Sequence, residues 1–289
     1  MRETIDLARI NLAGAIATTL VVLSGCSDAS EEPLGQIVDL DRVTYPLASF
    51  DLNEAELETV LQARYMLTRR CTSAQGAVLP QRQHGRNRPS RQDQYGMYDE
   101  KTARGWAYSL DGPRATVAEW EEGIDRHSPL FGIAIACRDL ADRTLGWAKT
   151  SASERDPLPA LESKAWNSSK ADPSVRRAAA DWQRCMARRG HHLDDDPALA
   201  PYSYWTSQRM AAHPNLTPEQ RKRGIPPTDA ERRAALDDIR CKNQSGFVRT
   251  WVDADVSAQQ RLVVDNRTRL DGHRRALDEV VRNAAFVVT

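Results

Sequence analysis

Four cysteines and one histidine–acid run hold most of the chemistry that this 289-residue chain could perform. Cys71, Cys137, Cys185 and Cys241 form an even set once Cys26, isolated near the N-terminus, is set aside. Thiols in such a set either bind a metal as thiolates or oxidise in pairs. None of them forms the Cys-x-x-Cys pair of a structural zinc site, so the spacing favours two disulfides and an oxidising compartment. Four cysteines allow three connectivities. A weak internal repeat favours one of them. Cys71 and Cys185 each begin Cys-x4-Gly, ending at Gly76 and Gly190, whereas Cys137 and Cys241 each close Ile-x-Cys and precede a tryptophan, Trp147 or Trp251, by ten positions. The repeat points to Cys71 with Cys137 and Cys185 with Cys241, each closed loop contributing about 4 kcal/mol by restricting the unfolded chain.

The run Gly190-His191-His192-Leu193-Asp194 sets imidazoles beside a carboxylate, which makes His191, His192 and Asp194 candidates to ligate a divalent metal. Adjacent histidines project in different directions, and neither His-Glu-x-x-His nor a calcium-loop pattern occurs in the chain. A polar loop after a helix stop accounts for the run better. Other chemistries lack their signatures: there is no Gly-x-Ser-x-Gly elbow, no phosphate-cradling glycine loop and no dinucleotide fingerprint. Glu119 with Glu122 lies at helical spacing and reads as a solvated face, and His84, His127, His213 and His273 have no recognisable nucleophile partner. No catalytic residue and no cofactor is expected.

Cys26 is a separate matter. It closes Leu23-Ser24-Gly25-Cys26 after the twelve residues from Leu12 to Leu23, an apolar run too short for a bilayer-spanning helix of about 20 residues. Arg2 and Arg9 precede that run, together with Glu3 and Asp6. The segment resembles a bacterial lipoprotein signal. That resemblance implies cleavage after Gly25, a diacylglycerol on the Cys26 sulfur, and a chain anchored at the extracytoplasmic face of the cell membrane. Later apolar runs are all interrupted by charge.

Elements must position these residues, and their signals are mostly helical. Asn53 with Glu56 makes a capping box, after which Leu57, Val60, Leu61, Leu67 and Cys71 share one face and Gly76 marks the stop. Residues 77–94, with Pro80, Gly85, Pro89 and the arginines 82, 86, 88 and 91, read as an exposed loop that an anionic envelope polymer could touch. The aromatics of 95–108 read as a packed cluster. Trp120, Ile124, Leu130, Ile133, Ile135 and Leu140 mark a helical region around Cys137 that Pro129 interrupts, and Thr150 to Pro159 reads as a linker. Asp172-Pro173 opens a helix whose face is Val175, Ala178, Ala179, Trp182 and Cys185; Thr217–Gln220 and Thr228–Glu231 are further caps. From Phe247 to Ala285 one helix of up to 39 residues is expected, with Val256, Val263, Leu270 and Leu277 as its seam.

The expected fold is therefore mainly α, an irregular helical body with long loops, two disulfides and a long C-terminal helix. Its expected divisions are 1–25, a signal peptide; 26–52, a lipidated N-terminus and tether; 53–149, a first helical half; and 150–289, a second. Forty basic and forty acidic side chains balance, which gives no footing for nucleic acid. Three stretches, Tyr65 to Cys71, Trp182 to Gly190, and Asp238 to Lys242 followed by Trp251, give residues 57–280 a resemblance to actinobacterial lipoproteins and secreted proteins. It implies an envelope location and no chemistry; His191-His192 stands where that family is expected to have an aromatic. The expected function is a membrane-anchored, non-enzymatic binding or interaction module for an envelope protein, polymer or ligand. Alternatives are an extracytoplasmic hydrolase of cell-wall or carbohydrate substrates, and a small-ligand binder with a cavity lined by Trp106, Trp147 or Trp182.

Overall fold

A reciprocal cap starts the first helix. The Asn53 side chain accepts from the Glu56 N–H at 2.9 Å, and Glu56 accepts from the Asn53 N–H at 2.8 Å, so two of the donors that a helix start leaves without partners are satisfied. Helix α1 then runs Glu54–Ala74. The computed structural model describes residues 38–81, 94–108, 124–125, 127–147, 156–194, 196–213, 215, 217 and 225–289. Cys26 with the whole signal segment, the four arginines of the basic stretch, Trp120 and the cap residues 218–220 lie outside them. Among the described residues there are nine α-helices and no strand.

After α1 come α2 (Glu100–Gly105), α3 (Pro129–Leu145), α4 (Leu158–Lys170), α5 (Pro173–Arg188), α6 (Ala200–Ala212), α7 (Asp229–Ser245), α8 (Phe247–Asp265) and α9 (Arg267–Val288). Pro129 does not interrupt its helix. With Ser128 capping the Phe131 N–H it is the first residue of α3, where its missing N–H costs nothing. Leu158 and Pro159 likewise open α4 instead of ending a linker. The expected 39-residue helix is two helices meeting at Asn266, whose side chain donates to the Leu262 carbonyl at 2.8 Å and whose ψ of 16° turns the chain out of the helix. The long C-terminal helix is α9, of 22 residues.

The cysteines pair as the repeat suggests. Cys71 on α1 lies at disulfide distance from Cys137 on α3, and Cys185 on α5 from Cys241 on α7, with Cα separations of 5.6 and 5.5 Å. The turns that follow Cys71 and Cys185 are the same turn in the same register. Gly76 and Gly190 take φ of +73° and +86°, and the next N–H, of Ala77 or His191, returns to the carbonyl of the residue after the cysteine, Thr72 or Met186, at 3.0 Å.

Helices from both expected halves share their packing. The apolar faces of α1 (Val60, Ala63) and α9 (Leu277, Val280, Ala284) meet over Leu52 and Leu145, which joins the C-terminal helix to α1 and α3. In a second group α4, α5 and α7 pack around α8, and α2 packs on α7. Residues 38–52, expected as tether, are also built in: Tyr45, Leu47, Phe50 and Leu52 are buried, because this stretch has too much apolar surface to stay in water. Two short 3-10 turns, Leu40–Arg42 and Pro46–Phe50, shape it against α8 and α4.

Candidate functional site

Between α4 and α8 opens a cleft of about 380 Å³. Helix α4 buries Leu158, Leu161, Ala165 and Ser169, the three-four spacing of one helical face, and so sends Glu162, Ser163, Trp166 and Lys170 toward the cleft. From α8 come Trp251, Asp255 and Gln259, again four residues apart, and the segment before α6 supplies Asp196, Ala198 and Leu199.

Two indoles make the wall. Trp166 and Trp251 stack with centroids 4.3 Å apart and 28° between planes, and Tyr95 meets Trp251 edge-on at 5.5 Å. The Trp251 N–H donates to Ser169 Oγ at 3.0 Å, so the indole is fixed by the helix it packs against. On the rim Lys170 Nζ reaches Asp196 Oδ2 at 2.7 Å, while Asp196 Oδ1 accepts from the Ala198 N–H at 3.1 Å. The lysine therefore ties α4 to the turn that starts α6.

Behind the wall runs a buried hydrogen-bonded line. The Tyr45 and Tyr95 hydroxyls meet at 3.1 Å, Tyr95 donates to Asp255 Oδ2 at 3.2 Å, Gln259 donates to the same oxygen at 3.1 Å, and Gln259 accepts from the Leu47 N–H at 3.2 Å. Burial, then the Asp255 charge, pushes the Tyr95 hydroxyl far above the ordinary phenol range, which keeps it a proton donor. The line connects the floor of the cleft to the 3-10 turn at 46–50.

A second buried network holds the neighbouring loop. Asp238 accepts from the Trp182 N–H at 2.7 Å, the Tyr108 hydroxyl at 3.1 Å and Lys242 Nζ at 3.0 Å, and Lys242 also donates to the Met97 carbonyl at 2.9 Å. Burial raises the Asp238 carboxyl and lowers the Lys242 ammonium, while their mutual attraction opposes both changes. Gly96 sits against this network with φ +75°; a Cβ there would stand 2.9 Å from the Ala198 Cα. The close approach of 94–98 to 197–198 thus requires glycine, and it shapes the cleft's edge from Gln94 to Leu199.

The structure does not gather the metal candidates. His191 Nε2 lies 3.1 Å from Asp237 Oδ2, a carboxylate that Arg189 Nη1 also meets at 3.0 Å, and His192 and Asp194 are exposed. Among the described residues no three His, Cys, Asp or Glu side chains stand close enough to share an ion. Trp182 is fully buried on Asp238, Trp147 packs against the α1–α9 cluster, and Trp106 is 41% exposed, so none of the three lines this cleft. The indoles that do are Trp166 and Trp251. Trp251 is visible in the repeat; Trp166 escapes sequence reasoning together with its helix, although Leu158, Leu161 and Ala165 around Pro159 carry the signal.

Comparison with protein-family models, with curated proteins and with solved structures gave no match. The cleft is therefore read on its own residues.

Proposed function

We propose that this chain is a non-enzymatic binding module of the cell envelope, held at the extracytoplasmic face of the membrane by a diacylglycerol on Cys26. The cleft between α4 and α8 carries the binding half of this reading: it is concave, walled by the stacked indoles of Trp166 and Trp251, and rimmed by polar side chains that converge from four segments of the chain. Two cysteine pairs at disulfide distance support the oxidising side of the membrane. None of the described helices is long and apolar enough to cross a bilayer. Two acyl chains give stable attachment where one is marginal.

The hydrolase alternative draws on Glu162, Asp196 and Asp255, three carboxylates that share the cleft. Asp196 is held by Lys170 and a backbone N–H, and Asp255 by Tyr95 and Gln259, arrangements that hold a carboxylate still and give its proton-accepting oxygens other work. Binding is therefore preferred over bond cleavage.

Two measurements test the proposal. A labelled fatty acid should enter the wild-type chain and not Cys26→Ala, which should leave the membrane fraction; a labelled, membrane-bound Cys26→Ala chain removes the anchor. A digest of purified cell wall should slow hydrogen exchange in 158–170 and 247–265, and unchanged exchange there removes the binding site.

A further inference from the structure

We infer that the cleft is a saccharide site, in which a neutral sugar ring lies on the indole wall and its hydroxyls meet the polar rim. The inference rests on the cleft being a binding site. Its first support is the wall. Trp251 is 1% exposed and pinned by Ser169, whereas Trp166, stacked on it at 4.3 Å, is the half-buried member that borders the opening. The C–H face of a sugar is apolar and flat enough to cover an aromatic ring, and rings already fixed lose little freedom when covered.

The second support is the rim. Gln94 and Ser163 can each donate and accept, Glu162 accepts and Lys170 donates. Sugar hydroxyls need both partners at once. A purely apolar ligand would leave these groups desolvated without replacement, at the cost of affinity. The third support is charge. Lys170, the one cationic side chain among the lining residues, is already engaged with Asp196 at 2.7 Å, and the remaining charged lining groups are carboxylates. That set suits a neutral polyol better than a phosphorylated or sulfated one. A volume of about 380 Å³ admits one or two sugar rings.

The test is a titration of the full chain in detergent micelles with cellotriose, maltotriose and N,N′-diacetylchitobiose, beside inorganic phosphate and spermidine, followed by tryptophan emission and calorimetry. At least one sugar should give a saturable change. Trp166→Ala should weaken that binding about tenfold or more, and Glu162→Gln, on the rim and outside the indole stack, should weaken it severalfold in a chain whose folded circular-dichroism spectrum matches the wild type. Where Trp166→Ala unfolds the chain, Glu162→Gln decides. Silent sugars with phosphate or spermidine binding that Glu162→Gln or Trp166→Ala alters would overturn the saccharide and keep the binding site. Silence from all five probes would overturn both. Sugar binding indifferent to both variants sits elsewhere and overturns the inference too.

Discussion

Lys242 and Asp238 show what one residue can decide, because each is at most 1% exposed and the pair joins α7 to the loop at Met97. A buried ion pair adds little over an apolar pair of the same shape, yet removing one member leaves a charge with no counterpart. Lys242→Met should therefore cost about 3–5 kcal/mol in urea unfolding, and Asp238→Asn in the same chain should recover part of it. A loss under about 1 kcal/mol would show that Asp238 is held as the neutral acid and needs no cation. Glu56 gives the opposite sign of pH effect to a buried acid. The Arg274 guanidinium, at 2.6 Å, holds its carboxyl below the usual range. Its contribution is present above the unfolded carboxyl's pKa of about 4.3 and is lost as pH falls through the lower folded value. Unfolding midpoints measured from pH 6 downward should fall more steeply for the wild type than for Arg274→Gln, and equal slopes would remove the link.

At the scale of elements the left-handed glycines separate two kinds of turn. A methyl group at Gly190 would have nothing within 4 Å, so Gly190→Ala meets only backbone strain, about 1–2 kcal/mol. Gly96→Ala meets the same strain and the Ala198 backbone as well. It should cost more in thermal unfolding; equal losses for the two would show that 94–98 moves freely away from 197–198. Much of this scale was legible in the chain. Asn53 with Glu56, Asp172-Pro173 and Thr228 with Glu231 announced helix starts because each pairs a cap with the donor it must satisfy. Asn266 announced nothing, since an asparagine inside a proline-free stretch fits a helix face as well as a break; the side-chain bond to Leu262 decides it. The cleft was illegible for a related reason. Glu162, Trp166 and Lys170 carry no motif by themselves, and only the crossing of α4 with α8 brings them beside Asp255 and Gln259.

For the whole molecule the two cysteine pairs tie α1 to α3 and α5 to α7, and the same turn follows the first cysteine of each. Replacing both members of either pair by serine should lower stability by about 4 kcal/mol, read as a drop in urea midpoint, and dithiothreitol, which opens both pairs, should lower the wild-type midpoint further; midpoints indifferent to reductant would mean that the thiols are free. Neither pair reaches residues 38–52. Those are held by their buried side chains and by the line from Tyr45 through Tyr95 to Asp255 and from Leu47 to Gln259. A load pulling on the polypeptide ahead of residue 38 would accordingly be delivered to the middle of α8, beside Trp251, before it strained either staple. In a force-spectroscopy trace Gln259→Ala should give way at a lower load, and the leading end of the chain would then serve as a handle that tugs the aromatic wall.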